Sequence, residues 1–224
     1  VDNTTTIGKI SWTWISWIET GSKIDQSVDG PQILIYHTHS QERYADSKDE
    51  KGVVGVGDYL TELLEEEGFQ VMHHKGEYDV GDRIMHIQGS PVDSENQNDH
   101  PSIQVVIDLH RDGVGENTRL VTTQNGKKMA KIMFFNGLAE QGFRDIPYLK
   151  NPYISDNLAF SFQMQLAAAE YYPDFTRRIY LKDRFNMHFC PKSMLVEVGA
   201  QTNTFEEAKN AMEPLADLFA KVLK

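Results

Sequence analysis

The sequence predicts an α/β protein with a mostly parallel central sheet flanked by helices on both faces. Two observations predict this fold. Short apolar runs suited to buried strands alternate with segments whose apolar residues recur at helical spacing. In addition, Ile103–Leu109 is a continuous apolar run, which is typical of a central parallel strand. We therefore expect a single α/β domain over residues 31–224, preceded over residues 1–30 by an arm or strand that packs on it.

The first part of the predicted domain begins with a strand and a helix. Gln32–Tyr36 is a short apolar run and predicts the first strand. Val53–Glu67 has apolar residues at helical spacing and is followed by Gly68, a residue favoured just past a helix end. Phe69–His73 then predicts a return strand, and Val80–Gly89 predicts a helix.

A hairpin follows the central strand. The dipeptide Asn125-Gly126 is the strongest short signal for a two-residue hairpin turn, and it separates two strand-like runs, Leu120–Thr123 and Lys127–Phe135. The remaining predicted elements are an amphipathic helix over Ser155–Tyr172, a strand over Met194–Val198 and one helix over Thr204–Lys224 that begins with the capping box Thr204/Glu207.

Composition excludes several classes of protein. Lys and Arg number 22 and Asp and Glu 33, so the net charge is −11, which argues against nucleic-acid binding. No run of about 18 apolar residues is present, so we expect no membrane span. The single cysteine, Cys190, excludes an internal disulfide and a multi-cysteine metal cluster. The chain begins with Val1, so we expect a processed fragment with a signal or anchor segment upstream. The tryptophan-rich segment Ile10–Ile18 predicts a docked or membrane-proximal arm.

Three predicted strands end in residues that carry chemistry. His39 and Glu42 follow the first strand, His110 ends the central strand, and Glu197 lies within the strand Met194–Val198. Ligands of open α/β sheets bind beyond the carboxyl ends of strands, where these residues would converge. Two histidines and one glutamate with an open fourth position are the ligands of a catalytic Zn²⁺ site. We expect Glu197 to act beside it as the general acid/base.

Five further residues are candidates for second-shell or substrate contacts. Strand alternation would place Ile35, His37 and His39 on one face, so His37 competes as a metal ligand. Asp108 shares the face of His110 and is expected either to orient its imidazole or to accept a buried hydrogen bond. The remaining candidates for substrate contacts are Arg111, Arg184 and Asn186. An arginine suits the carboxylates of a peptide substrate, although a salt bridge within the protein explains each arginine equally well.

Three strings carry a family resemblance: Tyr36-His-Thr-His-Ser-Gln-Glu42, Ile107-Asp-Leu-His-Arg-Asp112 and Val196-Glu-Val-Gly199. They resemble the signature segments of the stage II sporulation protein P family. This family is similar to zinc-dependent N-acetylmuramoyl-L-alanine amidases and, more remotely, to carboxypeptidase A. The resemblance implies His39, Glu42 and His110 as zinc ligands and Glu197 as the acid/base. Related amidases carry the ligand glutamate just before the first helix, so Glu50 is the alternative third ligand.

The resemblance also implies a function. It implies a peptidoglycan hydrolase that cleaves the amide between N-acetylmuramic acid and L-alanine, with endopeptidase activity besides, during forespore engulfment in sporulation. It further implies an extracytoplasmic, membrane-anchored protein whose partner is the stage II sporulation protein D transglycosylase. Two alternatives stay open: a zinc carboxypeptidase or endopeptidase acting on peptide bonds, and a non-catalytic cell-wall binding module.

Overall fold

A computed structural model describes most of the chain: residues 22–47, 52–77, 100–138, 140–141, 144–145, 151–182 and 187–224. The strands are β1 (Ile33–Tyr36), β2 (Val71–His73), β3 (Val105–Asp112), β4 (Val121–Gln124), β5 (Lys127–Ala130), β6 (Ile132–Asn136), β7 (Glu140–Gln141), β8 (Arg144–Asp145), β9 (Tyr180–Leu181) and β10 (Ser193–Ala200). The helices are α1 (Val53–Glu66), α2 (Ile154–Tyr171), α3 (Phe205–Asn210) and α4 (Met212–Leu223).

Six strands form the central sheet in the order β2-β1-β3-β10-β6-β9. The pairs β1/β2, β1/β3, β3/β10 and β6/β9 are parallel, and only β10/β6 is antiparallel. The register places Tyr36 beside Asp108, and His110 beside Glu197. The predicted fold class, α/β with a mostly parallel sheet, is confirmed. The central position predicted from the apolar run of β3 is confirmed as well.

The largest apolar cluster covers one face of this sheet, which we call the helix-covered face. Its strand residues include Ile35, Leu109 and Val196, and all four helices contribute side chains to it. On the opposite face lie two smaller clusters, one around Tyr36 and one around Leu195. Within the described part of the chain no helix packs on this opposite face, where the helices of a two-sided arrangement were expected.

The C-terminal segment forms two helices where one was predicted. The capping box is confirmed: the Thr204 side chain accepts from the Glu207 N–H, and the Glu207 side chain accepts from the Thr204 N–H. The chain breaks at Ala211, between α3 and α4. Pro214 explains the break, because a proline has no N–H for the carbonyl of Asn210 and its ring clashes with that carbonyl. Periodicity alone did not reveal this interruption.

The predicted hairpin is confirmed at its turn, but its second strand is divided. Asn125 and Gly126 have φ angles of 51° and 78°, as a type I′ turn requires. After the turn, β5 pairs with β4 and then β6 leaves to pair with β10 in the central sheet. The switch falls at Lys131, whose N–H donates to Leu120 while its carbonyl accepts from Gly199. Lys127–Phe135 was therefore wrong as one continuous strand, and β9 was missed because it has only two residues.

Some expectations fall outside the described residues. They include the tryptophan segment Ile10–Ile18 and the helix expected over Val80–Gly89. Among the described helices, none combines the length and apolar character needed to cross a membrane.

Candidate metal centre and active site

Three side chains meet at the carboxyl end of the sheet. His39 and Glu42 lie in the turn after β1, and His110 lies near the end of β3. One nitrogen or oxygen from each falls within 4.8 Å of the others. Glu42 stands between the two imidazoles, with its Oε1 3.7 Å from His39 Nδ1 and its Oε2 3.5 Å from His110 Nδ1. The His39 side chain is 58% exposed whereas His110 is buried, so the cluster opens to solvent on the side of His39.

The backbone around Glu42 fixes its position from several directions. The Arg111 N–H donates to Glu42 Oε2 at 2.8 Å. The Glu42 carbonyl accepts from the N–H of Val53 at 3.2 Å and from the Arg43 guanidinium at 3.2 Å. A Cβ at Gly52 would approach that carbonyl to 2.4 Å, so this close approach of the α1 start requires glycine. The turn that carries Glu42 is thus tied to both β3 and α1.

Asp108 orients the imidazole of His110. His110 Nε2–H donates to Asp108 Oδ1 at 2.7 Å, which leaves Nδ1 facing Glu42. Thr38 holds the same carboxylate, because its N–H donates to Oδ1 at 2.9 Å and its hydroxyl to Oδ2 at 2.5 Å. Burial alone would lower the pKa of His110, but the carboxylates of Asp108 and Glu42 raise it well above the usual value. The pocket around His110 therefore favours a cation.

Glu42 is ionised in this surrounding. Burial alone would raise the pKa of its carboxyl group, yet hydrogen bonds from His110, His39 and the Arg111 N–H lower it to about 2. An ionised carboxylate between two imidazoles is a suitable metal donor across the neutral pH range.

Glu197 lies beside this cluster on β10 and pairs in register with His110. Its Oε2 is buried and has no hydrogen-bond partner among the described residues. Burial is the largest cause that raises the pKa of Glu197, and the nearby charges of Glu42, Asp112 and Asp108 add to it, so that the pKa reaches about 7 although His110 opposes the shift. A carboxyl group with such a pKa can both accept and release a proton near neutrality.

His37 lies apart from the cluster. The prediction that strand alternation places it with His39 was wrong, because β1 ends at Tyr36 and His39 lies in a turn. His37 Nδ1–H donates to the Leu109 carbonyl at 2.8 Å. Its Nε2 lies 2.8 Å from the Nε2 of His73, and burial lowers the pKa of His37 to about 4. Its ring thus ties β1 to β3 and β2, below the cluster.

The other sequence candidates have different surroundings. Arg111 donates from Nε to the Arg43 carbonyl at 3.0 Å and from Nη1 to the Asp112 carbonyl at 3.2 Å, so its guanidinium braces the Glu42 turn. Arg184, Asn186 and Glu50 lie outside the described residues.

Sequence reasoning missed two features of this region. Thr38, the residue that holds Asp108, was overlooked because a threonine after a strand carries no specific signal. Arg177 Nη1 donates to Asp112 Oδ2 at 2.6 Å, which brings a distant segment to the end of β3. The basic pair Arg177-Arg178 in an acidic chain was the available signal.

Solved structures share this fold. The catalytic domain of the CD27L endolysin targeting Clostridia Difficile aligns with a TM-score of 0.53 at 12% identity, over 85% of this chain and 95% of that one. Cwp6 from Clostridium difficile aligns with a TM-score of 0.52 at 11% identity, over 88% of this chain and 30% of that one. An N-acetylmuramoyl-L-alanine amidase from Clostridium difficile 630 aligns with a TM-score of 0.50 at 11% identity, over 87% and 95%.

The sequence itself also has a curated relative. Stage II sporulation protein P of Bacillus subtilis (strain 168) is 21% identical in an alignment that is 220 residues long. The match covers 87% of this chain and 51% of the relative. The chain thus spans about half the length of that protein. The profile of the family described as stage II sporulation protein P matches residues 6–220, nearly the whole chain. The chain belongs to the stage II sporulation protein P family.

Proposed function

We propose that this protein is a zinc-dependent peptidoglycan hydrolase that cleaves the amide between N-acetylmuramic acid and the L-alanine of the stem peptide. His39, Glu42 and His110 would hold the zinc, and Glu197 would be the acid/base. The observation that carries the proposal is the convergence of these three donors beside a buried carboxyl group with a near-neutral pKa.

The donor set fits zinc. Tetrahedral zinc with ligand bonds of about 2.0–2.1 Å separates its donor atoms by about 3.4 Å. One donor atom from each of the three residues lies within 4.8 Å of the other two, so small side-chain movements would bring them to this spacing. Two imidazoles and one carboxylate leave a fourth position open, as in catalytic zinc sites. The hydrogen bond of His110 to Asp108 is the outer contact that ligand histidines make.

The side chains then divide the chemistry among them. Bound zinc would polarise the amide carbonyl and lower the pKa of the attacking water. The Glu197 carboxylate would accept a proton from that water and return it to the departing L-alanine nitrogen. Its burial supports this role, because burial raises the pKa of the Glu197 carboxyl group and so makes its carboxylate a stronger base. Asp108 would keep His110 in the tautomer whose Nδ1 faces the metal.

Family membership and the shared fold support the substrate class. One structure with this fold is named an N-acetylmuramoyl-L-alanine amidase, and the curated relative is named for stage II of sporulation. From the same resemblance we infer action during forespore engulfment, an extracytoplasmic and membrane-anchored full-length protein, and the stage II sporulation protein D transglycosylase as partner.

The test is digestion of purified peptidoglycan by the zinc-loaded protein, with the soluble products analysed by mass spectrometry. We expect free stem peptides that begin with L-alanine among the products, and one bound zinc per protein chain by metal analysis. Glu197→Gln is the matched control: it should retain zinc and lose activity by about 10²–10⁴-fold, the usual contribution of a general acid/base.

The products separate the alternatives. If the peptide cross-links are cleaved and the muramic acid amide stays intact, the protein is an endopeptidase that uses the same centre, not an amidase. A Glu197→Gln variant as active as the parent would contradict the mechanism. A parent protein that binds peptidoglycan but releases nothing, with or without the transglycosylase, would establish a wall-binding module.

A further inference from the structure

The segment that leads into β9 and through it, Thr176–Lys182, differs in charge from the rest of the chain. Its sequence, Thr-Arg-Arg-Ile-Tyr-Leu-Lys, has three basic residues and no acidic one, in a chain of net charge −11. Arg178, Tyr180, Leu181 and Lys182 are exposed. Tyr180 is 46% exposed and lies in β9, an edge strand of the sheet.

Two contacts place this segment on the face that bears the candidate site. The Tyr180 ring packs on Phe135, with centroids 5.0 Å apart, and Phe135 belongs to the same cluster as Leu195. Leu195 and Glu197 alternate along β10 and so share that face. Tyr180 therefore lies on the face of Glu197, two strands or roughly 10 Å beyond β10.

Arg177 connects the segment to the end of β3. Its guanidinium reaches Asp112, which lies two residues after His110 on the same face, a separation of roughly 7 Å along the strand. The Arg177 side chain remains 30% exposed, and within the described part of the chain one of its five N–H groups is committed, to Asp112. A guanidinium held by a single carboxylate can present its other donors to a second carboxylate.

We propose that Arg177 and Tyr180 form a docking surface for the peptidoglycan strand beyond the amide that is cleaved. The stem peptides supply carboxylates for Arg177, and the polymer supplies an extended face for the Tyr180 ring. The Arg177 side chain is 30% exposed and Tyr180 is 46% exposed, and arginine and tyrosine are among the residue types that most often dominate binding interfaces. The proposal rests on the proposed function for the identity of the polymer, and on the described contacts for its position.

The experiment is co-sedimentation of the zinc-loaded protein with purified insoluble peptidoglycan. All proteins carry Glu197→Gln, so that the polymer stays intact. Tyr180→Ala and Arg177→Ala are each expected to weaken binding about tenfold, and Arg177→Ala should also flatten its salt dependence. Arg177→Lys, which keeps the charge opposite Asp112, should recover part of the loss.

Matched controls come from the helices of the helix-covered face. Tyr171→Ala removes an aromatic ring that is 50% exposed on α2, and Lys221→Ala removes one positive charge from α4. Both should bind within twofold of the parent. If Tyr180→Ala and Arg177→Ala also bind within twofold, the docking surface is refuted while the amidase can still be active. If the unmutated chain releases no stem peptide but the two variants lose binding, the proposed function fails and the surface stands.

Discussion

Replacing Asp108 by asparagine should weaken zinc binding without unfolding the protein. Asparagine has the shape of aspartate, and its carbonyl can still accept from the Thr38 N–H and from His110 Nε2–H at the Oδ1 position. Its NH₂ group would occupy the Oδ2 position and donate to the Thr38 hydroxyl, which can rotate to accept. The substitution therefore removes a charge and retains the hydrogen bonds.

The expected loss of zinc affinity follows from the effect of the Asp108 charge on His110. The Asp108 carboxylate raises the pKa of His110 and so increases the basicity of that imidazole. Loss of such an outer carboxylate typically lowers metal affinity 10- to 100-fold, which corresponds to about 1.4–2.8 kcal/mol. The free energy of unfolding of the metal-free protein should fall less, by about 1–2 kcal/mol, because charge-assisted hydrogen bonds become neutral ones.

The assay is competition for zinc against a chromophoric chelator, with thermal unfolding of the metal-free protein in parallel. Thr38→Val is the control, since it removes one hydrogen bond to Asp108 but leaves the carboxylate charge. We expect a change below threefold for it. Zinc affinity of Asp108→Asn within twofold of the parent would refute the inference that the Asp108 charge strengthens His110 as a zinc ligand.

Three further predictions concern packing and charge. His37→Leu should retain one zinc per chain by metal analysis. Its free energy of unfolding, measured by chemical denaturation, should fall by about 2–3 kcal/mol because the Leu109 carbonyl loses its buried donor. Loss of zinc would instead make His37 a ligand. Gly57→Ala should destabilise by about 1–3 kcal/mol despite the better helix propensity of alanine, since its Cβ would lie 2.8 Å from His37 Nε2; a gain in melting temperature would contradict this. Burial alone would raise the pKa of Glu207, but hydrogen bonds from Thr204 and other neighbours lower it below its usual value. The stabilisation that Glu207 contributes is therefore fully present above the unfolded-state pKa of about 4.3. It is lost as the pH falls through the lower pKa of the folded state. Glu207→Gln should therefore cost about 1–2 kcal/mol at pH 7 and progressively less below about pH 4, measured by denaturation at both pH values; an equal cost at both would contradict the linkage.

Periodicity predicted most of the fold because strand and helix patterns in this chain are local. The apolar run of β3 and the spacing along α1 needed no knowledge of partners. The division of the C-terminal helix at Ala211 was missed although Pro214 was visible, because a proline in the first turn of a helix is tolerated and its break depends on where the preceding helix ends.

The candidate site shows a sharper limit. His39, Glu42, His110 and Glu197 were singled out because polar residues at strand ends are conspicuous. The place of His37 was misjudged, because strand alternation was extended to His39 although β1 ends three residues before it, at Tyr36. The contact between Arg177 and Asp112 depends on the position of β9 at the far end of the sheet, which no local pattern encodes.

The bonds that hold the site together connect remote parts of the chain. Arg111 and Glu42 are 69 positions apart, and Tyr44 and Val198, which join the Glu42 turn to β10, are 154 positions apart. Contacts between such distant residues form late in folding, because the entropy of closing a long loop is lost before the contact can stabilise the fold. During synthesis Glu197 is added 155 positions after Glu42, so the four residues of the candidate site are complete only once β10 has been made. The candidate site would therefore assemble only after β10 has paired with β3.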